Sequence, residues 1–322
     1  LAVPALDPTP GRPATLSEPN LTGLLRGRMG FRGLIVTDAL EMGGVTGAFP
    51  AGEAALRSLL AGADQLLLPP EPAKVIAFLA AAVRDGRLPE SRVDASVRRL
   101  LEVKSSLGLH RERYVRVEEL DRRVAPRAHL ELAVRAYERS ATLVRNDGGA
   151  LPLAAGPGRV VLLSLSSDPG DFFAGQPFVA AMRRRFPEAA AFLADGDTGR
   201  EALEEAFAEA SGAATAVVAL FSRLSDGKGS VDLEPGHVEL VRRLAALEGG
   251  PAVVAVSFNS PYFLRRVPEV DAYLCLYRNT SEAQEAAARA LCGETDVAGR
   301  LPVGLPGLYP VGHGLELRAA TK

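Results

Sequence analysis

Apolar and polar positions recur along the chain with two different periods, and the switches between them outline an α/β protein. Leu21, Leu24, Leu25 and Met29 fall at helical spacing behind Thr15-Leu16-Ser17-Glu18-Pro19, a start signal in which Ser17 is the expected N-cap and Pro19 lies in the first turn. This helix is expected to end near Gly30. The run Gly33-Leu34-Ile35-Val36-Thr37-Asp38 then reads as a short buried strand that stops on a carboxylate. After it come a Gly-rich loop (Gly43, Gly44, Gly47), a helix over about 51–61 and a second strand, Asp64-Gln65-Leu66-Leu67-Leu68, closed by Pro69-Pro70. Helices over about 72–85 and 89–107 complete the region. Unbroken apolar strands joined through a helix predict parallel pairing and a right-handed crossover.

A charged connector spans 108–140, with a helix over about 126–140, and Ala141-Thr142-Leu143-Val144-Arg145-Asn146-Asp147-Gly148 reads as strand and turn. Beyond 150 the alternation is regular: strands are expected at 159–166, 190–194, 215–222, 251–258 and 271–277, with helices near 172–185, 199–211, 236–248 and 280–292. Such alternation predicts an open, doubly wound, mostly parallel sheet. The Gly/Pro-rich tail is expected to be loop.

At 322 residues two domains are the default, divided here as 1–108, a linker and connecting helix over 109–140, and 141–322. With 47% hydrophobic and 24% charged residues the chain can bury a large core. A net charge of −2 supplies no basic excess to displace counterions from phosphate, which argues against a nucleic-acid partner. No apolar stretch reaches the ~18 residues that cross a bilayer. The two cysteines, Cys275 and Cys292, have neither disulfide-framework nor metal spacing and are expected as buried apolar thiols. No metal-ligand cluster or phosphate-cradling glycine loop is present, so no cofactor is expected.

Asp38 carries the chemistry that is legible. A carboxylate at the carboxyl end of a parallel strand stands where α/β barrels keep their reacting groups; from the run alone, a cap on the following helix is an equal reading. The longer string Leu24-Leu25-Arg26-Gly27-Arg28-Met29-Gly30-Phe31-Arg32-Gly33-Leu34-Ile35-Val36-Thr37-Asp38-Ala39-Leu40-Glu41-Met42 resembles the nucleophile segment of glycoside hydrolase family 3, in its β-N-acetylglucosaminidase-like branch. The resemblance continues through Leu143-Val144-Arg145-Asn146-Asp147-Gly148, Ser281-Glu282-Ala283-Gln284-Glu285, Gly299-Arg300-Leu301-Pro302-Val303 and Tyr309-Pro310-Val311-Gly312-His313-Gly314, in the family's order.

That resemblance implies a retaining, exo-acting glycosidase in which Asp38 attacks the anomeric carbon of a carbohydrate substrate, an N-acetylglucosaminide such as one derived from a cell wall. Ala39-Leu40, where the glucosidase-like branch usually carries Trp, favours the acetylglucosaminidase-like branch; β-glucosidase or xylosidase activity, or a non-catalytic carbohydrate-binding role, are the alternatives. It also implies that residues 1–108 are the closing part of a (β/α)8 barrel whose earlier strands are absent from this sequence. Two parallel strands with four helices would leave large apolar faces uncovered.

Retaining hydrolysis requires a second group to protonate the leaving oxygen and later activate water. No stretch matches the family's catalytic His loop. Of the four histidines, His110 and His129 are expected in solvent, His237 at a helix start, and His313 in a packing or backbone role. The stretch corresponding to the glucosidase-like acid/base offers only Asp226, which reads better as a turn residue. Met42, Gly43 and Gly44 follow the nucleophile and are placed at a subsite floor or, equally, in a tight turn with a packed Met. The isolated chain is expected to be inactive.

Overall fold

The computed structural model describes residues 2–153, 158–171, 174–222 and 231–320. The chain forms two compact units, Leu1–Val117 and Glu118–Lys322.

The first unit contains a wide π-type helix, Pro19–Arg28, strand β1 (Val36–Ala39), helices α1 (Gly43–Thr46) and α2 (Ala51–Ala61), strand β2 (Gln65–Leu67), and helices α3 (Pro72–Arg84) and α4 (Glu90–Ser106). The strands β1 and β2 pair in parallel, as the apolar runs predict. Helix α2 buries Ala54, Ala55, Leu56, Ser58 and Ala61 and ends where Gly62 adopts φ 120°. A Cβ on Gly62 would stand 2.5 Å from Thr22 Oγ1, the hydroxyl that donates to Ala61 O, so only glycine fits that turn.

Three local expectations are corrected. Ser17 does not cap the first helix: its hydroxyl donates to Asp7 Oδ2 (2.6 Å) and accepts from Asn20 Nδ2 (2.8 Å), while Glu18 occupies the cap position without a side-chain bond. Ser17 is fully buried, and the buried carboxylate Asp7 outcompetes the backbone for its hydroxyl. The Gly-rich stretch is not all loop, because Gly43–Thr46 closes one helical turn. The first strand begins at Val36, not Gly33, since Gly33 O is taken by the Arg26 guanidinium (2.5 Å) instead of a strand partner.

The second unit holds α5 (Leu120–Arg123) and α6 (Arg127–Ser140) followed by a six-stranded sheet. Its strands are β3 (Thr142–Asn146), β4 (Val160–Ser166), β5 (Ala190–Ala194), β6 (Thr215–Phe221), β7 (Ala252–Ser257) and β8 (Ala272–Cys275). They lie in the order β3-β8-β7-β6-β4-β5, all pairs parallel except β3 against β8. Helices α7 (Gln176–Arg183), α8 (Arg200–Ser211), α9 (Pro235–Ala245) and α10 (Ser281–Leu291) cover both faces. Strand β6 shows why. Val217, Ala219 and Phe221 face a core shared with Phe178, Met182, Ala287 and Leu291, and Ala216, Val218 and Leu220 face one shared with Ala206, Ala210, Val241 and Leu244. A strand buried on both sides has no polar face, which is the continuous apolar run read from the sequence.

The sheet turns back on itself at β4, whose neighbours β5 and β6 lie on opposite sides. At the carboxyl ends of these strands Ser166, Ser167, Asp168, Asp195 and Ser222 are buried. Cys275 is buried in β8, and burial pushes its thiol well up; Cys292 is only half-buried, a correction to the expectation, with its thiol pushed up to about 11 by burial. Among the described residues no helix is long and apolar enough to cross a membrane.

Phe258 stacks on Phe221 (4.7 Å, 4°) and meets Phe178 edge-on (5.5 Å, 66°), joining β6, α7 and the loop after β7. Phe258→Ala is expected to lower the stability of the second unit by about 3–5 kcal/mol, read as a lower urea midpoint with an unchanged slope.

Candidate active site

Asp38 stands in β1 between buried Thr37 and the half-buried Ala39, and its own side chain is exposed, as strand alternation requires. Strand placement is fixed on both sides of it. Thr37 Oγ1 accepts the Leu67 N–H (2.9 Å), and Leu40 N donates to Leu67 O (3.0 Å), so β2 grips β1 immediately before and after the carboxylate. Asp38 Oδ1 accepts the N–H of Ala39 (2.8 Å). That bond disposes of the helix-cap reading, since the next helix, α1, has Met42 at its cap position and no side-chain cap. Among the described residues the Ala39 N–H is the one hydrogen bond made to this carboxylate, which leaves Oδ2 free.

The opposite end of the same strand pair carries a second carboxylate with the contrary fate. Asp64, whose side chain has no exposed surface, forms ion pairs with Arg26, Arg99 (2.8 Å) and Arg92 (3.7 Å). It also accepts from Ser96 Oγ (2.9 Å) and from the Ile35 N–H (3.1 Å). Burial alone would raise its pKa; the Ile35 N–H, the Ser96 and Arg99 hydrogen bonds and the Arg26 charge outweigh this and hold the carboxyl below the usual carboxylate range. Arg26 also binds Phe31 O (3.0 Å) and Gly33 O, the segment feeding β1. Arg92 reaches Leu59 O (2.8 Å) and Ala63 O (2.6 Å), the segment feeding β2. Both strands are thus tethered at their amino ends through one acid.

Sequence reading missed this clamp. Its signal was present: Arg92, Ser96 and Arg99 stand at i, i+4 and i+7 on α4 and so share one helix face. A cationic stripe at that spacing opposite a strand-initial Asp is a pairing pattern.

The other residues singled out from the sequence are dispersed. Met42 is 48% exposed and is not a packed core side chain, while Gly43 and Gly44 face open space. His110 and His129 are exposed, as expected. His313 accepts its expected packing role: Nε2 lies 2.8 Å from Val144 O and the ring stacks on Tyr309 at 4.2 Å. His237 is in the first turn of α9 but buried, and burial pushes its pKa down. Asp226 lies outside the described residues. No group of three or more potential metal-ligating side chains occurs among the described residues.

The architecture is that of an α/β protein with an exposed carboxylate near the carboxyl end of a parallel strand. The chain matches the Glycosyl hydrolase family 3 N terminal domain over residues 1–103 and the Glycosyl hydrolase family 3 C-terminal domain over 141–309, and it belongs to that family. A beta-N-acetylglucosaminidase/beta-glucosidase from Cellulomonas fimi is 28% identical over 298 residues, covering 90% of this chain and 52% of that protein. A lysosomal beta glucosidase from Dictyostelium discoideum is 29% identical over 339 residues, covering 92% of this chain and 41% of that protein. The structure of a family 3 beta-N-acetylglucosaminidase from Paenibacillus sp. superposes with a TM-score of 0.77 at 26% identity, over 91% of this chain and 55% of that one. The chain spans about half the length of the relatives it matches.

Removing the clamp acid strands three cations whose side chains are 15%, 19% and 35% exposed. Asp64→Ala is therefore expected to destabilise the first unit by about 2–4 kcal/mol, somewhat under the fully buried case, whereas Asp38→Ala should shift it by about 0.5 kcal/mol or less; urea unfolding of both variants distinguishes them. The acid limb follows the same groups. Asp7, bonded by Ser17 and Thr9, is held down to about 2, and Asp64 is lowered as well. Their stabilisation is complete above the unfolded carboxylate value of about 3.9 and is lost as pH falls from there. Stability measured between about pH 5 and pH 2 should decline, and Asp64→Asn should flatten that decline.

Proposed function

We propose that this chain supplies the nucleophile of a retaining, exo-acting β-N-acetylglucosaminidase-like hydrolase, with Asp38 as the attacking group. The observation that carries this is the exposed Asp38 carboxylate at the carboxyl end of β1, restrained by the Ala39 N–H and otherwise free to attack. An Asp38 oxygen bonds to the anomeric carbon as the leaving oxygen takes a proton, giving a glycosyl-enzyme; water, deprotonated by the same acid/base, then releases the sugar. Ala39-Leu40 after the nucleophile supports the acetylglucosaminidase-like branch. The mixed names of the relatives, which include a lysosomal beta glucosidase and a putative beta-xylosidase, support a glucosidase or xylosidase as the second reading.

The proton donor is not assigned to any described histidine. His313 is committed to Val144 and Tyr309, and His237 is buried. His110 and His129 lie in no built environment. The reading is therefore of half a catalytic pair.

In the natural protein carrying these residues, Asp38→Ala is expected to reduce kcat on p-nitrophenyl N-acetyl-β-glucosaminide by several orders of magnitude with the fold retained. A 2-fluoro glycoside should label the wild type on the peptide containing Asp38. Activity within about tenfold of wild type would remove Asp38 from the role, and clear preference for the β-glucoside would replace the acetylglucosaminidase reading by the second one. The 322-residue chain by itself is expected to show no measurable turnover.

A further inference from the structure

Beyond the carboxyl ends of β6 and β7, the second unit has an open cleft of about 400 Å³ that the nucleophile reading does not use. It is lined by Val231, Asp232, Ser260, Tyr262, Arg265 and Arg266, with Phe263 at its base. Its size falls within the range of small-molecule sites, and it follows β6 and β7 rather than the turning point of the sheet at β4.

The lining is built from below. Ser260 O accepts the Ser257 hydroxyl (2.7 Å), and Ser260 Oγ accepts the Tyr262 N–H (3.3 Å), which starts the short helix Pro261–Arg265. Phe263 and Leu264 are buried in the sheet's core, and Tyr262 before them and Arg265 after them are exposed. Tyr262 is 43% exposed, an aromatic surface left uncovered. Arg266 is paired with Asp232 (3.1 Å), and its backbone carbonyl accepts from Arg242 (2.8 Å). Arg265, by contrast, makes no ion pair with any described residue, and among the described lining residues it leaves an excess of one positive charge.

An exposed phenol ring suits the apolar face of a pyranose. A guanidinium without a partner, beside an Arg–Asp pair that can donate and accept, suits a carboxylate flanked by hydroxyls. We propose that this cleft binds a carboxylate-bearing pyranose, with Tyr262 stacking on the ring and Arg265 holding the carboxylate. The site lies within the second unit and does not depend on Asp38 being a nucleophile.

Calorimetric or NMR titration of the 322-residue chain with methyl β-D-glucuronide, methyl β-D-glucoside and acetate tests it. The glucuronide should bind about tenfold or more tighter than either partial ligand, the scale of one charge-assisted bond. Arg265→Gln should reduce its affinity to that of the glucoside, and Tyr262→Ala to that of acetate, with thermal midpoints unchanged because both side chains are exposed. Equal binding of glucuronide and glucoside would overturn the role of the guanidinium. Equal binding of acetate and glucuronide, or unchanged affinity in both variants, would overturn the saccharide site. The wild-type comparison decides the matter even where a variant misfolds.

Discussion

Asp64 receives the Ser96 hydroxyl, the Arg99 guanidinium and the Ile35 N–H, with Arg26 and Arg92 completing its surroundings, while its side chain is wholly out of solvent. An ionised carboxylate at that depth persists only where donors replace the lost water. Those donors come from the first helix, from the residue that leads into β1 and from α4, so satisfying one charge fixes three segments together. The consequence for Asp38 is geometric. Ile35, which donates to Asp64, precedes Asp38 by three residues, about 10 Å along a strand. The clamp fixes one end of β1, and the Thr37 and Leu40 bonds to Leu67 fix the other. Asp38 therefore stands on a strand anchored at both ends.

The two units differ in how they bury what they have. In the second unit both sheet faces are covered, and β4 and β6 are buried through almost their whole length. In the first, the cores are small clusters around Leu40, Val45 and Ala54 and around Leu56, Ala82 and Leu88. Val36 and Leu67 on the strands, Leu68 just after β2, Ile76 on α3, and Val97 and Leu101 on α4 stay exposed. Two parallel strands cannot enclose a core, and apolar residues on such a short sheet have nowhere to go. The polar clamp thus ties together segments of the first unit whose apolar side chains stay partly uncovered.

What was legible in the sequence follows the same division. Continuous apolar runs with helices between them specify β4, β6, β7 and β8 to within a few residues, because these strands are buried on both faces, and the edge strand β5 is read from its place in the alternation. Helix α2 is read to its ends because Pro50 and Gly62 bracket a run of small apolar residues. The failures that bear on the site are polar and long-range. Ser17 matched a capping pattern, but Asp7, ten residues away, competes for its hydroxyl, and no local rule sees that competitor. Asp64 looked like an ordinary strand-initial acid, since its partners lie 38, 28 and 35 positions away in the chain at Arg26, Arg92 and Arg99. Asp38 was found because its position at a strand end is encoded locally, but its choice between capping and standing free required the backbone of α1.

Two aspartates on paired neighbouring strands show why burial and partner number, rather than residue type, assign chemistry. Every oxygen of Asp64 is engaged by donors and cations, so attack on carbon would require breaking the contacts that define the fold. Asp38 spends one oxygen on the adjacent N–H, which orients the carboxylate, and on the proposed reading the other would meet the reacting carbon. A nucleophile also needs a proton donor placed for the leaving oxygen. The imidazole best protected from solvent, His237, is held toward its neutral form by burial and so is poor at donating a proton near neutral pH. The one imidazole in a tail loop, His313, is fixed by a backbone carbonyl and a tyrosine ring. On the proposed reading these residues would supply the attacking group and not the acid, and the placement of Asp38 at the strand end depends on none of the histidines.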